Sequence, residues 1–433
     1  MNSNENEAYV WIWLPGQGKP VVAGRLSREN DQLLFNYGQS YLSRDDAIAI
    51  YEPELPLQAG RIELLPRMEM PSCIRDGSPD AWGRRVIINH VAGRRQDDID
   101  QAELGELAYL LLSGSDRIGA LDFQASPEVY TPRDPRSATL DELQTASELV
   151  EKGIPLPPEL DQALNHGSSI GGARPKANLT SEGKKYIAKF SGSTDTHSVV
   201  KAEYIAMSLA REVGISVADV ELTQAMGKDV LLIQRFDRRP LLPEPFNDVT
   251  WGRKSMVSGL TILGIPEMEA RYASYEMLAE KIRYQFTRPK ATLHELYKRM
   301  VFNILVGNTD DHARNHAAFW DGRELSLTPA YDICPQNRTG EEASQAMNIQ
   351  GENKLSQLGN CLAARQAFQL DEGQSIEIIE HQVRTIANNY PAVCKSAQLT
   401  EVDQRLFWRR QFLNPFCFYD LDENLRQRLT ANL

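Results

Sequence analysis

The chain is poor in cysteine. Its 433 residues hold five, Cys73, Cys334, Cys361, Cys394 and Cys417, an odd number, widely scattered and with no CxxC pair. That argues against a disulfide framework and against a cysteine-rich zinc site, and it points to a reducing, cytoplasmic setting. No apolar run is long enough to span a bilayer, and the opening MNSNENEAYV is polar where a secretory signal would be apolar, so no membrane association is expected. There is no basic excess either: 47 Lys and Arg stand against 59 Asp and Glu, a formal net charge of -12. Phosphate contacts dominate DNA affinity, so an acidic chain is a poor candidate for binding DNA unaided, beyond what a local basic patch would give. Internal repeats and low-complexity tracts are also missing, and composition places the chain among ordinary globular proteins of two or three domains.

What is present is an ordered series of short elements. YVWIWLPG and GRLSRENDQLLFNYG read as strands with turn residues between them. DQAELGELAYLLLSG has helical periodicity, with Gly114 placed as a C-terminal cap. RIGALDFQ reads as a strand running into SPEVYTPRDPRS, a Pro- and Ser-rich linker. Beyond it SSIGGARPKANL is a Gly-rich loop entering a strand, and KKYIAKFSG is a second strand carrying Lys189. SVVKAEYIAMSLAREVG is a helix with Glu203 in its first half and Gly214 past its end. VADVELTQ and KDVLLIQRFDR are two more strands around an MGKD turn. From about Pro266 the chain turns mainly helical, and LHELYKRMVFNILVG delivers it to Asn308. AAFWDGRELSLTPAYD then reads as a hairpin turning at Asp321-Gly322 and ending on Asp332.

The densest polar stretch is NTDDHARNH, Asn308 to His316, directly after an apolar run. Two chemistries fit its spacing. His312 and His316 stand four apart, as helical metal ligands do, but they lack the glutamate of H-E-x-x-H and no third ligand is obvious nearby. Asp310 and Asn315 form D-x-x-x-x-N, the spacing of a kinase catalytic loop. A hydroxyl nucleophile needs a carboxylate to orient it and take its proton, a role suited to Asp310. Mg²⁺ takes oxygen ligands, which Asn315 and Asp332 supply in the order kinases use. Upstream, the turn of Gly171, Gly172, Ala173, Arg174, Pro175 and Lys176 suits close approach of backbone N–H groups to phosphate. Lys189 suits phosphate charge, with Glu203 as its ion-pair partner. Taken singly each feature has a bland reading as a turn, a surface lysine or a capping aspartate. Their common order favours the kinase reading.

On these residues the sequence resembles the HipA family of bacterial toxin serine/threonine kinases. SSIGGARPK is similar to the family's Gly-rich loop, YIAKF to its lysine strand, LIQRFDR to its hinge, and NTDDHARNH with LTPAYDICP to its catalytic and metal motifs. The resemblance implies an α+β, bilobal kinase-like fold. A β-rich N-terminal subdomain would cover 1–125, the N-lobe with its hinge 126–238, and a mainly helical C-lobe with the catalytic and metal motifs 239–433. It implies ATP and Mg²⁺ as cofactors. Gly171 to Lys176 and Lys189 would lie at the phosphates, and Gln234, Arg235 and Phe236 at the adenine. Asp310 would be the base, and His312, Ala313, Arg314, Asn315, Tyr331 and Asp332 would lie against nucleotide and metal. Ser169 falls where the family carries an autophosphorylated serine. Where the family often has lysine this chain has Arg314, which keeps the charge but changes its shape. The partners implied are a small helix-turn-helix antitoxin of HipB type, operator DNA mainly through that antitoxin, and a translation component as substrate, of which an aminoacyl-tRNA synthetase is the best-known case in the family. Two other classes stay open: a small-molecule kinase sharing the Asp, Asn, Asp order, and a catalytically silent corepressor, which predicts decayed base and metal residues.

Overall fold

The computed structural model describes residues 6–94, 104–133, 138–164, 168–193, 195, 197–241, 250–338, 340–431 and 433. The chain forms two compact units, each made of separate segments. The first comprises Met1–Asp195, Thr223–Val257 and Phe319–Arg323, and the second Thr196–Leu222, Ser258–Ala318 and Glu324–Leu433. Neither expected boundary, at 125 or at 238, is an edge of a compact unit. The division at those positions stands as a proposal.

The first unit is built on two antiparallel sheets. β1 (Glu7–Ile12), β2 (Val21–Glu29), β3 (Gln32–Tyr37) and β4 (Leu121–Gln124) make a sheet of order β3-β2-β1-β4. Val10, Ile12, Leu26, Phe35 and Phe123 from these strands are buried to 1% exposure or less. The strand read from RIGALDFQ thus begins only at Leu121. Gly114 does not cap the preceding helix Glu106–Leu112, because Ser113 in extended conformation ends it. The Gly114 N–H donates instead to Ser168 Oγ at 2.9 Å. The expected linker reaches the residues 134–137, which lie outside the described ones.

The second sheet contains β5 (Lys176–Ser181), β6 (Lys184–Phe190), β7 (Val220–Ala225) and β8 (Lys228–Gln234) in the order β5-β6-β8-β7. Side chains alternate across a strand, so pairing register decides which residues share a face. One face carries Ala177, Tyr186, Ala188, Phe190, Val230 and Leu232, packed with Leu143, Ala146 and Val150 of helix Leu140–Glu151 and with Trp82 and Val86 of helix Ala81–Arg94. The other face carries Lys176 directly opposite Lys189, which in turn pairs with Leu231. The β7–β8 turn uses Met226 and Gly227, both at positive φ, as a two-residue hairpin requires.

The second unit is mainly helical. Helix Val199–Glu212 packs against the long helix Glu372–Ser396, and helix Tyr275–Gln285 against helix Pro289–Leu305. Side-chain caps start three of them: Ser198 accepts from Lys201 N–H, Ser274 from Met277 N–H, and Asp371 forms a capping box with Gln374. Pro289 opens the fourth, where its missing N–H costs nothing. Helix Pro289–Leu305 is apolar nearly all round towards its end, with Met300, Val301, Phe302, Ile304 and Leu305 at 0% exposure. That is why an apolar run leads into the polar stretch: the helix is core, and the chain leaves it at Gly307 in left-handed conformation. Among the described residues no helix is long and apolar enough to cross a membrane.

Candidate active site

The catalytic-loop motif lies wholly in the second unit. After helix Pro289–Leu305 the Asn308 N–H returns to the Asn303 carbonyl at 2.9 Å. His312 N–H donates to the Asp310 carbonyl at 2.9 Å, and a 3-10 turn follows over Ala313–Asn315. Asn315 closes the loop, its N–H on the His312 carbonyl at 2.8 Å and its Nδ2 on the Asp310 carbonyl at 3.1 Å. The amide nitrogen is thereby used, which leaves Oδ1, the atom a hard cation takes, as the remaining function of a buried side chain.

Asp310 and its neighbour Asp311 are opposites. Asp310 is exposed, whereas Asp311 is 3% exposed. The Asp311 carboxylate accepts from Tyr275 Oη, from Asn303 Nδ2 at 2.7 Å and from His316 Nε2 at 3.0 Å. Burial opposes its ionisation, but His316 and the hydrogen bonds from His316 and Tyr275 outweigh it and hold the carboxyl below the usual range. Asp310 moves the other way. Lost hydration raises its carboxyl first, the nearby charges of Asp332 and Asp311 add to the rise, and His312 opposes it. Adjacent carboxyls pushed apart in this way mark one as a fixed anion and the other as a group that takes a proton.

Asp332 is brought to the same loop by two bonds. Tyr331 Oη donates to the Arg314 carbonyl at 2.8 Å, and Asn308 Nδ2 reaches the Asp332 carbonyl at 3.5 Å as well as Asn303 Oδ1 at 3.0 Å. Asp332 itself sits at φ 58°, a conformation that costs energy for a side chain other than glycine and that clusters at functional positions. Arg314 Nη1 lies 3.3 Å from Glu267 Oε1. Among the described residues there is no cluster of three or more His, Cys, Asp or Glu fit to hold a metal ion, and His316 is a core histidine bound to Asp311. His312 is half-buried, with Nδ1 enclosed and without a hydrogen-bond partner.

The Gly-rich segment belongs to the first unit. Gly172 has φ 99°, and a Cβ there would stand 2.2 Å from Lys176 Nζ, so the loop requires glycine at this position. Lys176 donates to the Gly171 carbonyl at 2.6 Å. Lys176 and Lys189 are 5% and 8% exposed, two ammonium groups on one sheet face. Like charges directly opposite each other across a sheet are unfavourable, and an anion on this face offsets that repulsion. Ala173 is exposed, Pro175 buried, and Arg174 is engaged with both Asp195 oxygens at 3.0 and 3.1 Å. The Ser169 hydroxyl is buried, with no hydrogen-bond partner. Glu203 is 2% exposed and lies in the second unit, in helix Val199–Glu212, so its pairing with Lys189 stays a proposal.

At the end of β8 the side chains part. Gln234 pairs with Tyr186 and so faces away from the Lys189 side, leaving its main chain as its contribution there. Phe236 packs edge-on to Phe319 with ring centroids 5.9 Å apart. Arg235 does not offer its guanidinium to a ligand. Nε and Nη2 hold Asp237 at 3.0 and 2.8 Å, and Nη1 holds Asp116 Oδ1 at 3.0 Å and Asn178 Oδ1 at 2.9 Å. The residue is 4% exposed, and a buried charge so placed is structural.

Comparison with known proteins gives the family and the fold. The family model described as the HipA-like C-terminal domain matches residues 168–390, and that of the HipA N-terminal domain matches 12–124. The chain belongs to the HipA family. Among curated relatives it is 26% identical to "Putative kinase Y4mE" of Sinorhizobium fredii over 352 residues, 74% of this chain and 76% of that protein. It is 27% identical to the serine/threonine-protein kinase toxin HipA of Shewanella oneidensis over 188 residues, 38% of this chain and 42% of that protein. The structure aligns with HipA from the Shewanella oneidensis HipA, HipB and operator DNA complex over 98% of this chain and 96% of that one, with TM-score 0.66 and 19% identity. The α+β HipA kinase fold is therefore the fold of this chain. Apart from residues 95–103, 194, 196, 242–249 and 339 the matched segments are among the described residues, and the motif residues fall within the matched 168–390.

Sequence reasoning missed Asp311, Tyr275 and Asn303. The doublet Asp310-Asp311 held the only signal, and it did not say which carboxylate is buried. Asp311→Ala is expected to leave three polar groups without their acceptor and to cost about 2–4 kcal/mol of stability, since each buried unsatisfied group costs about 1–3 kcal/mol. Denaturation of the variant measures it, and a loss below about 1 kcal/mol contradicts the role.

Proposed function

We propose that this HipA-family chain is an ATP-dependent serine/threonine protein kinase acting as the toxin of a toxin–antitoxin pair in the cytoplasm. The observation that carries the reading is the division of labour between Asp311, a buried ionised anchor, and Asp310, an exposed carboxylate with raised proton affinity. Asp310 orients the acceptor hydroxyl and takes its proton. The Gly171 to Lys176 turn and the Lys176 and Lys189 ammonium groups hold the phosphates of ATP, and Glu203 pairs with Lys189. Main-chain groups of Gln234, Arg235 and Phe236 border the adenine, and His312, Ala313, Arg314 and Tyr331 shape the nucleotide and metal side.

Asn315 Oδ1 and the Asp332 carboxylate would hold Mg²⁺. The donor set fits: two oxygens from two short segments, with no nitrogen or sulfur among them, suit a hard cation that keeps several waters. Bound there, the ion supplies neutralisation of phosphate charge.

Four further assignments follow from the family. The partner is a small helix-turn-helix antitoxin of HipB type. Operator DNA is reached mainly through it, as the net charge of -12 requires of an acidic chain. The substrate is a protein of translation, of the aminoacyl-tRNA synthetase kind, and Ser169 is the autophosphorylation site. Incubation of the purified chain with ATP and Mg²⁺, followed by intact mass and phosphopeptide mapping, tests the core of this. A gain of one phosphate mapping to Ser169 is expected. No phosphorylation of the chain or of any added protein, with ATP still bound, returns the silent-corepressor reading.

A further inference from the structure

The Gly-rich loop is held down by residues far from it in sequence. Gly172 N–H donates to Asp80 Oδ2 at 2.8 Å, and the Gly172 carbonyl accepts from Trp82 N–H at 3.1 Å. Trp82 Nε1 donates to the Lys176 carbonyl at 2.9 Å. Gly83 approaches so closely that a Cβ on it would lie 2.4 Å from the Ser168 carbonyl oxygen. These contacts lie within the first unit and come from Asp80 and the first turn of helix Ala81–Arg94. Asp80 stands immediately before that helix, where a carboxylate commonly caps the helix's own N–H groups. Here its Oδ2 also reaches the loop.

We infer that Asp80 is a positioning residue for the phosphate loop: its carboxylate, with Trp82, latches residues 168–176 in their folded shape and sets how often Ser169 becomes accessible. The inference rests on the kinase reading only for its second half. Three observations lead to it. A carboxylate on a backbone N–H makes a charge-assisted hydrogen bond, stronger than a neutral one. The Ser169 residue is 4% exposed and its hydroxyl is enclosed without a partner, so no phosphoryl donor reaches it while the loop stays down. Gly172 is also the residue whose positive φ shapes the turn, next to the Gly171 carbonyl that Lys176 holds, so releasing its N–H loosens the whole segment. The device places control of the loop in the stretch just before Trp82, outside the segment matched by the C-terminal family model.

The test uses the full chain and two substitutions, Asp80→Ala and Asp80→Asn. Hydrogen exchange of the loop peptide spanning 168–176 is read first, without nucleotide. Asp80→Ala is expected to speed exchange there by about tenfold or more, the effect of losing one hydrogen bond to a charged group. Asp80→Asn keeps an acceptor oxygen and is expected to restore most of the protection. Trp82→Phe, which loses the bond to the Lys176 carbonyl but keeps an aromatic ring in the core, provides a second loosened variant should Asp80→Ala fold poorly. Unchanged loop exchange in both Asp80→Ala and Trp82→Phe overturns the latch. Mg-ATP is then added and Ser169 phosphorylation followed by peptide mapping, with a rise in initial rate expected for Asp80→Ala and a near-native rate for Asp80→Asn. A freed loop whose Ser169 is modified no faster than in the wild type overturns the claim about access. A freed loop in a chain that phosphorylates nothing upholds the latch and counts against the kinase reading.

Discussion

Asp310→Ala loses about a thousandfold or more in phosphoryl transfer while nucleotide affinity stays near that of the wild type. A positioned general base contributes roughly 10²–10⁴-fold, and the role proposed for this carboxylate is confined to the acceptor hydroxyl. Asp332→Ala is equally inactive for a different reason: it removes an oxygen donor proposed for Mg²⁺, so affinity for Mg-ATP falls while affinity for ATP in chelator changes little. The pair of variants separates a base from a metal ligand by binding alone. The wild type adds a third readout. As the proposed base Asp310 works when deprotonated, and in the metal-free chain its carboxyl is raised by lost hydration and by Asp332 and Asp311, with His312 opposing. Mg²⁺ on Asp332 would offset that residue's share, so lost hydration and Asp311 are what place the acid limb of the pH–rate profile above that of an ordinary aspartate, whose pKa is about 3.9. Near wild-type turnover in Asp310→Ala would remove Asp310 from the chemistry, and a loss of nucleotide affinity equal to that of Asp332→Ala would make it a binding residue.

Much of the geometry of this candidate site could be read from local spacing, because the loop that carries it is local. Asp310, Asn315 and the strand-end Asp332 sit in one short stretch and its following hairpin, and the hairpin forms as expected, with Thr328 N–H on the Ala317 carbonyl at 3.0 Å. The same holds for the strands and helices around them, whose periodicity is set by burial of one face. What stayed hidden depends on tertiary contact. The doublet Asp310-Asp311 is symmetric as sequence, and only Tyr275 and Asn303, from two different helices, make Asp311 the buried member. Asp80 precedes the loop it holds by 92 residues and has no motif of its own. Gly114 stands where a helix cap belongs, yet its N–H serves Ser168, a partner 54 residues away. Arg235 was read with its strand as part of a ligand-bordering hinge, but a lone arginine carries no sign of which carboxylates will meet it. One partner, Asp237, is two residues away, but the other, Asp116, lies 119 residues earlier in the chain.

That last group leads to the largest stability effect. Asp237→Ala is expected to cost about 3–5 kcal/mol, the range for removing one partner of a buried ion pair. Asp237 Oδ2 accepts from Arg235 Nη2, Arg238 Nη1 and the Gly119 N–H, each at 2.8 Å, and Oδ1 accepts from Arg235 Nε at 3.0 Å. Without it Arg235 and Arg238, at 4% and 6% exposure, share Asp116 alone, whose Oδ1 already takes Arg235 Nη1 at 3.0 Å and Arg238 Nη2 at 2.8 Å. Two buried guanidinium groups then face one carboxylate, and neither can shed its charge readily. The pH dependence gives an independent sign. Burial opposes ionisation of Asp237, but Arg235 and Arg238 outweigh it and its carboxyl lies at about 2. A carboxyl depressed in the fold stabilises it above its unfolded pKa of about 3.9, and that share, roughly 2–3 kcal/mol, is lost as pH falls towards 2. Asp237→Asn should therefore differ most from wild type at neutral pH and converge on it between about pH 4 and pH 2. Because Gln234, Arg235 and Phe236 run on from β8 into this network, the freed Arg235 is expected to weaken nucleotide binding in the surviving folded fraction as well. Denaturation series at pH 7 and at pH 3, with nucleotide binding at pH 7, supply all three readings. A cost under about 1 kcal/mol for Asp237→Ala at pH 7 would mean that Asp116 alone balances both arginines, and the network would then not be what fixes the end of β8.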